Sequence, residues 1–352
     1  MMRGLQNDKM STSKTIYIDP SYRAFDSGGL FDLSNPTLNR DDQLLPFHRL
    51  REIWASRGVS VCTANQLFAE PGTDAHHSAY YSLGIADNFE RVLSARLARL
   101  AAFVIMEPPV VAPHLYAILP RLTEVFERVY VHNAEGDGYS LSGVNENRLH
   151  RFYWPIPYRD VLLPHWDNRR RLNRIVVING NHNPRGRRRE QYSLRIKAMS
   201  ELSNSGIVDL YGRGWDRWWS RAAMWWPYWR NRGPLMAIYK GPCESKFEVL
   251  ANYEFCLCFE NMRMNGYITE KLFDCLYAGT IPLYLGAPDI VRYMPPEVFV
   301  DCRNYSTWTE MWLSVADMSS ERIQAMRQAG RQFLHSDLAL KFYDSMLNVC
   351  AE

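Results

Sequence analysis

Phe255-Cys-Leu-Cys-Phe-Glu-Asn261, Gly266-Tyr-Ile-Thr-Glu-Lys-Leu-Phe-Asp274 and Ala278-Gly-Thr-Ile-Pro-Leu-Tyr-Leu-Gly-Ala-Pro288 follow one another in a single stretch of the chain. The first reads as a buried strand that ends in an acid and an amide, Glu260 and Asn261. A loop with Gly266 follows, and Thr269 is a residue type that caps helix N-termini. Glu270 and Lys271 then fall in the first turn of a helix that Gly279 ends, and Ile281–Leu285 is the next strand. Unpaired backbone N–H groups and the helix dipole make such a first turn an anion site. Lys271 adds a point charge for phosphate. Glu270 can accept hydrogen bonds from two vicinal hydroxyls, as on a ribose, and Tyr267 sets an amphipathic ring beside them. The pattern predicts a nucleoside diphosphate site. Spacing alone fits equally an ordinary capped helix with Glu270 facing the dipole and Lys271 solvated.

Outward from this stretch the chain alternates strand and helix. Upstream, Thr15–Asp19 is a strand, Phe47–Ser56 a helix stopped by Gly58, and Val59–Cys62 a strand. Helical spacing over Glu90–Leu100 runs into the apolar strand Ala101–Met106; helix His114–Phe126 and strand Arg128–His132 follow. Prolines 155, 157 and 164 and the polar run Asn168–Asn173 mark a linker. The alternation then restarts with strand Ile175–Ile178, helix Arg189–Leu202, and strands Ile207–Tyr211 and Glu254–Phe259. After Val298–Asp301 come helices Thr309–Ala316 and Glu321–Leu334 and a C-terminal helix near Leu338–Val349, expected to pack back across the domains. Such βα alternation predicts parallel sheets covered by helices on both faces. Two Rossmann-like doubly wound α/β domains are expected, residues 1–165 and 166–352, with ligands at the carboxyl ends of the strands facing an interdomain cleft.

The 352 residues carry a net charge of +3, too little by itself to imply a polyanionic partner, so nucleic acid is not an expected partner. Seven cysteines stand at irregular spacings without a CxxC pair or a zinc-ligand pattern, and they read as reduced thiols, which favours a cytosolic setting. The polar Met1–Lys14 segment carries no signal-peptide pattern, and the apolar run Ala101–Met106 is too short to span a bilayer. The chain is expected to be cytoplasmic, at most peripheral on the inner face of a membrane. Trp215 to Arg232 is the unusual segment: Trp215, Trp218, Trp219, Trp225, Trp226 and Trp229 alternate with Arg213, Arg217, Arg221, Arg230 and Arg232. A basic aromatic stretch can lie in a membrane interface; it can also hold an acceptor or pack as a hairpin.

The stretch 255–288 resembles the donor-binding signature of the α-1,3-fucosyltransferases, glycosyltransferase family 10: a Phe-Glu-Asn strand end, a Gly-Tyr-Ile-Thr-Glu-Lys loop and helix, and a Gly-Thr-Ile-Pro-Leu-Tyr strand. Val208-Asp-Leu-Tyr-Gly-Arg-Gly214 and Lys240-Gly-Pro-Cys-Glu-Ser-Lys246 resemble the family's approach to it. The resemblance implies a GT-B fold with the acceptor bound N-terminally and GDP-fucose C-terminally. It implies donor contacts from Glu260, Asn261, Tyr267, Thr269, Glu270 and Lys271. Arg187-Arg-Arg-Glu-Gln-Tyr192 resembles the family's segment whose arginine meets the diphosphate; Arg188 fits best, with Arg187 and Arg189 as alternatives. Met106-Glu-Pro-Pro109 stands where the family has its general base, which would be Glu107, although the flanking residues differ from the better-known members.

What the resemblance implies in chemistry is inverting transfer of L-fucose from GDP-fucose to an acceptor oligosaccharide or lipid-linked glycan, through O3 or O4 of GlcNAc or glucose in a surface glycan such as lipopolysaccharide. No Asp-x-Asp motif occurs in the chain, so no obligatory metal or other cofactor is expected. The rival readings are a GT-B transferase that uses another nucleotide sugar, a catalytically dead sugar-binding relative, and a membrane-surface or RNA-binding protein built on the Arg/Trp segment.

Overall fold

The computed structural model describes residues 14–20, 22–69, 77–217 and 224–351. Two six-stranded sheets, parallel throughout, lie in sequence along the chain. The first contains β1 (Thr15–Asp19), β2 (Ser60–Thr63), β3 (Ser78–Ser82), β4 (Arg99–Val104), β5 (Arg128–Val131) and β6 (Leu149–Arg151) in the order 2-1-3-4-5-6. The second contains β7 (Leu172–Ile178), β8 (Val208–Tyr211), β9 (Tyr239–Gly241), β10 (Tyr253–Phe259), β11 (Ile281–Leu285) and β12 (Val300–Asp301) in the order 9-8-7-10-11-12. Each order reverses once, between β1 and β3 and between β7 and β10. The crevice outside the carboxyl ends of the strands at such a reversal is where open α/β sheets bind ligands.

The apolar runs of the sequence become the central strands. In β4 Leu100 to Val104 are all buried, and in β10 the last five residues are buried. Strands covered on both faces lose the polar alternation of half-exposed ones. Helix Glu270–Ala278 and strand Ile281–Leu285 fall where the sequence places them. Gly279 turns left-handed at φ 74°, donates its N–H to Cys275 and Leu276 carbonyls, and ends the helix. Seven of the nine helix residues are buried, and each Leu or Phe among them contributes about 1.5–3 kcal/mol of apolar burial.

Other boundaries differ from expectation for identifiable reasons. The helix read over Glu90–Leu100 stops at Ser94, Arg96 turns left-handed at φ 50°, and Arg99 already pairs in register with β3. The helix His114–Phe126 is two, Pro113–Ala117 and Leu119–Val125, parted at Ile118 just before Pro120, whose ring fits a first turn but not a helix interior. The C-terminal helix divides at Asp344 into Asp337–Tyr343 and Ser345–Cys350. Strand β3, Ser-Ala-Tyr-Tyr-Ser, is buried at every position and so carries no periodicity to read. The presumed linker is packed structure: Ile156 and Val161 join the core around helix Glu270–Ala278, and Leu162 N–H donates to the Tyr277 carbonyl at 2.9 Å. The last helix returns to the N-terminal sheet, where Met346, Val349 and Cys350 share a core with Ile16, Leu50 and Ala101.

The Trp-rich segment ends in a helix. Trp226–Ile238 is helical despite Gly233 and Pro234. Trp215, Trp225 and Tyr228 are buried in the core beside helix Tyr192–Ser203, whereas Trp226 is 72% exposed. Trp218, Trp219 and Arg221 lie outside the described residues, as does nearly all of Met1–Lys14. No helix among the described residues is long and apolar enough to cross a membrane.

Candidate active site

Strand β10 leads directly into Glu260, which is fully buried. Its carboxylate accepts from Thr269 N–H at 2.8 Å, Thr269 Oγ1 at 2.8 Å and Lys271 Nζ at 3.1 Å. Lys271 Nζ also meets Thr269 Oγ1 at 2.9 Å and lies 3.8 Å from Glu270. Thr269 therefore occupies the N-cap position with its hydroxyl turned to Glu260 instead of back to the helix. A buried carboxylate is tolerable where each lone pair has a partner, and here it fixes the start of the helix that presents Glu270 and Lys271. Gly266 in the connecting loop is left-handed at φ 72°, and a Cβ there would sit 2.1 Å from Arg151 Nη1. Arg151, from β6, donates to the Gly266 carbonyl at 2.9 Å and so ties the loop to the N-terminal domain.

A cavity of about 380 Å³ opens at the β7/β10 reversal, lined by Asn261, Glu270 and Lys271 together with Arg195, Arg213, Lys246 and Asp274. Four residues expected to touch the donor do not line it, Arg188 among them. Glu260 and Thr269 lie behind the wall, and Tyr267 is buried with its ring edge-to-face on His132, centroids 4.8 Å apart. These three position the wall. Asn261 links the two groups: its Nδ2 faces Tyr267 Oη at 3.4 Å and its carbonyl accepts Gln191 N–H.

The arginine of the cavity is not the one expected. Arg188 is exposed and does not line it; Arg189 is paired with Asp137, and Arg187 lies 5.5 Å over the Trp225 ring. Arg195, on helix Tyr192–Ser203, is 3% exposed and donates to the Phe259 carbonyl at 2.5 Å and the Glu260 carbonyl at 3.2 Å. Its sequence signal was its phase: Tyr192, Arg195, Ile196 and Met199 fall on one helical stripe, and all are buried. A charge on a core-facing stripe has to be paired or functional. Lys246 was missed as well; it pairs with Asp274 one turn along from Glu270.

Electrostatics divides the acids. Burial would raise the Glu270 carboxyl, but Lys271 and Lys246 outweigh it and hold the pKa below the ordinary value. Burial would lower Lys271, yet Glu260 and Glu270 overcome it and keep the ammonium charged. Glu107 behaves oppositely. It follows β4 at the cleft, where desolvation pushes its pKa up to about 7, with Lys271 pulling down and Glu270 and Glu260 adding to the rise. Glu107 does not line the cavity, but the charges of Lys271, Glu270 and Glu260 in the other sheet's domain act on it. His132, 0% exposed, reaches the Met106 carbonyl at 2.8 Å; since a carbonyl only accepts, Nε2 carries the proton. Tyr116 Oη donates to the Glu107 carbonyl at 3.1 Å. A carboxyl that titrates near neutrality, fixed beside a cationic cavity, suits a general base. No group of three or more His, Cys, Asp or Glu able to hold a metal ion occurs among the described residues.

Two Rossmann-like sheets facing a cleft, with an acid from the first and a cationic nucleotide-sized cavity in the second, define the GT-B architecture of glycosyltransferases. An α1,3-fucosyltransferase crystal structure shares this fold, with a TM-score of 0.54, 15% identity, and 98% of this chain and 93% of that one covered. Residues 179–327 match the model described as glycosyltransferase family 10 (fucosyltransferase) C-term, so this part of the chain is similar to the C-terminal domain of that family. The chain is 39% identical over 67 residues to the α-(1,3)-fucosyltransferase FucT of Helicobacter pylori, covering 19% of this chain and 14% of the relative. It is 27% identical over 212 residues to human α-(1,3)-fucosyltransferase 7, covering 54% of this chain and 53% of the relative. The chain therefore aligns with about half or less of the length of these curated relatives.

Proposed function

We propose that this chain transfers L-fucose from GDP-fucose to a hydroxyl of an acceptor glycan, with inversion at the anomeric carbon. The observation that carries the reading is Glu107, titrating near neutrality, set against Lys271 and Glu270 of a domain similar to the family 10 C-terminal domain. GDP occupies the cavity at the β7/β10 reversal, with Lys271 and Arg195 beside the diphosphate and Glu270 accepting from the ribose hydroxyls. Glu107 accepts the proton of the acceptor hydroxyl as that oxygen bonds to the anomeric carbon. The bond from that carbon to the diphosphate oxygen breaks on the opposite face, and GDP leaves with the electron pair, so β becomes α. The transition state is oxocarbenium-like. Cations and the helix N-terminus stabilise the departing charge. The acceptor is a GlcNAc or glucose unit of a surface glycan, taken through O3 or O4.

Arginine, lysine and backbone amides can supply the charge that other transferases draw from a divalent ion, so the reaction is metal-independent in this proposal. Calorimetry with GDP-fucose, GDP-mannose and UDP-galactose tests it. GDP-fucose is expected to bind with the same affinity in excess chelator, and slow release of GDP is expected to follow. Preference for another nucleotide sugar would replace the donor, and activity abolished by chelator and restored by a divalent ion would end metal independence.

The chain acts at the cytoplasmic face of a membrane in this reading, where Met224, Trp226 and Trp229 are exposed in the Arg-bearing segment. Trp226→Ser with Trp229→Ser is expected to reduce co-sedimentation with anionic vesicles about tenfold or more, since two interfacial indoles are removed, while activity on a free oligosaccharide persists. Equal loss of activity on free and lipid-linked acceptors would mark the segment as structural.

A further inference from the structure

The longest excursion of the N-terminal domain, between β1 and the helix Leu45–Ser56, crosses to the donor cavity. Arg40 lines that cavity beside Cys243, Lys246 and Lys271, although it belongs to the other domain. Asp41 holds it there. One Asp41 oxygen accepts the Lys246 backbone N–H at 2.9 Å, across the domain boundary. The other lies 3.4 Å from Arg40 Nε, and it is buried with no hydrogen bond among the described residues. Asp42 is anchored in turn by the Tyr158 hydroxyl.

The backbone shows that this placement is imposed. Asp41 and Asp42 are consecutive left-handed residues, φ 54° and 55°, without a glycine between them. Non-glycine residues visit that region singly and rarely, and a pair persists where the surrounding contacts over-determine it. Here those contacts are the Lys246 amide and the Tyr158 hydroxyl. Their result is a guanidinium delivered to a cavity that its own domain does not form.

Three other cations of the cavity have ties among the described residues, with Arg213 the exception. Lys246 is paired with Asp274, Lys271 with Glu260 and Glu270, and Arg195 with two carbonyls. The Arg40 side chain is 39% exposed, and among the described residues its guanidinium has an ion pair through Nε alone. Its two terminal amino groups are the fork that matches phosphate oxygens.

We propose that Arg40 is a donor-binding residue contributed by the N-terminal domain, binding the diphosphate of the nucleotide so that both domains hold the donor. This rests on the nucleotide reading of the cavity. Closing the cleft then completes the donor site, and loss of the diphosphate releases one link between the domains.

Competition against a fluorescent GDP analogue tests the idea with GDP and with its two halves, inorganic pyrophosphate and guanosine. Arg40→Gln is expected to weaken GDP and pyrophosphate by about tenfold or more, the loss of one charge-assisted pair. Guanosine affinity is expected to stay within a factor of two or so of native, which also shows that the variant cavity is folded. GDP and pyrophosphate binding as tight as native overturns the proposal while leaving the nucleotide reading intact. Parallel loss of guanosine and pyrophosphate overturns it too, since Arg40 would then act on the whole cavity. If the native chain does not bind the GDP analogue, both readings fall.

Discussion

Glu107→Gln is expected to lower kcat by about 10²–10⁴-fold while leaving GDP affinity near native, because removing a general base removes an interaction made in the transition state. In the native enzyme the rate should rise with pH through about 7, the value to which desolvation brings Glu107, as the carboxylate form appears. That rising limb should vanish from the residual rate of the variant. Stability gives an independent readout. A carboxyl whose folded pKa lies above its unfolded value of 4.5 stabilises the fold fully below pH 4.5, and the contribution is lost as pH rises through about 7. The buried carboxylate therefore weighs against folding at pH 8, by on the order of 3 kcal/mol. Glu107→Gln should melt higher than native at pH 8 and no higher at pH 4. Unchanged turnover in the variant would remove Glu107 from the chemistry, whatever the melting data say.

Glu260→Ala is expected to be the most destabilising change at the site. The carboxylate is 0% exposed and accepts from Thr269 N–H, Thr269 Oγ1 and Lys271 Nζ. Its removal leaves the half-buried Lys271 ammonium without its nearest counter-charge and a buried amide unpaired. Breaking a buried pair from one side costs about 3–5 kcal/mol, which equilibrium urea unfolding would register. GDP binding should fail with it, although Glu260 does not line the cavity, because the first turn carrying Glu270 and Lys271 loses its anchor. Glu260→Gln, of equal size, separates shape from charge. Stability within about half a kcal/mol of native would mean that Glu270, 3.8 Å from Lys271 Nζ, can carry the counter-charge alone.

The two predictions concern residues that the sequence pointed to in different ways. Glu107 and Lys271 were placed by local signals: an acid just past an apolar strand, and a cation in the first turn of a helix. Glu260 was read as a ligand of the donor, and the fold makes it a support. The difference is depth. A residue one position past a fully buried strand is as buried as the strand, and linear sequence does not show whether the next layer is solvent or protein. Tyr267 went the same way: its ring packs against His132 of the other domain, a partner over a hundred residues upstream. Arg188 and Arg195 illustrate phase. The cluster of arginines at 185–189 draws the eye, yet it lies before the first turn and faces out, while a single arginine on the apolar stripe enters the cavity.

Local chemistry was enough where it was dense. An apolar run fixes a central strand, a left-handed glycine ends a helix, and the alternation of the two predicts parallel sheets, because hydrophobic faces have few ways to be covered. Helix Glu270–Ala278 and strand Ile281–Leu285 needed nothing beyond their own residues and punctuation. What the tertiary structure alone decided lies in space: the strand order that brings β7 beside β10, the desolvation of Glu107 and the lysines around Glu270 that shift the two carboxyls in opposite directions, and the crossing of Arg40 from one domain into the site of the other. Those outcomes depend on distances between residues far apart in the chain, and the free energy of a charge is set by its surroundings in space, which no local pattern records.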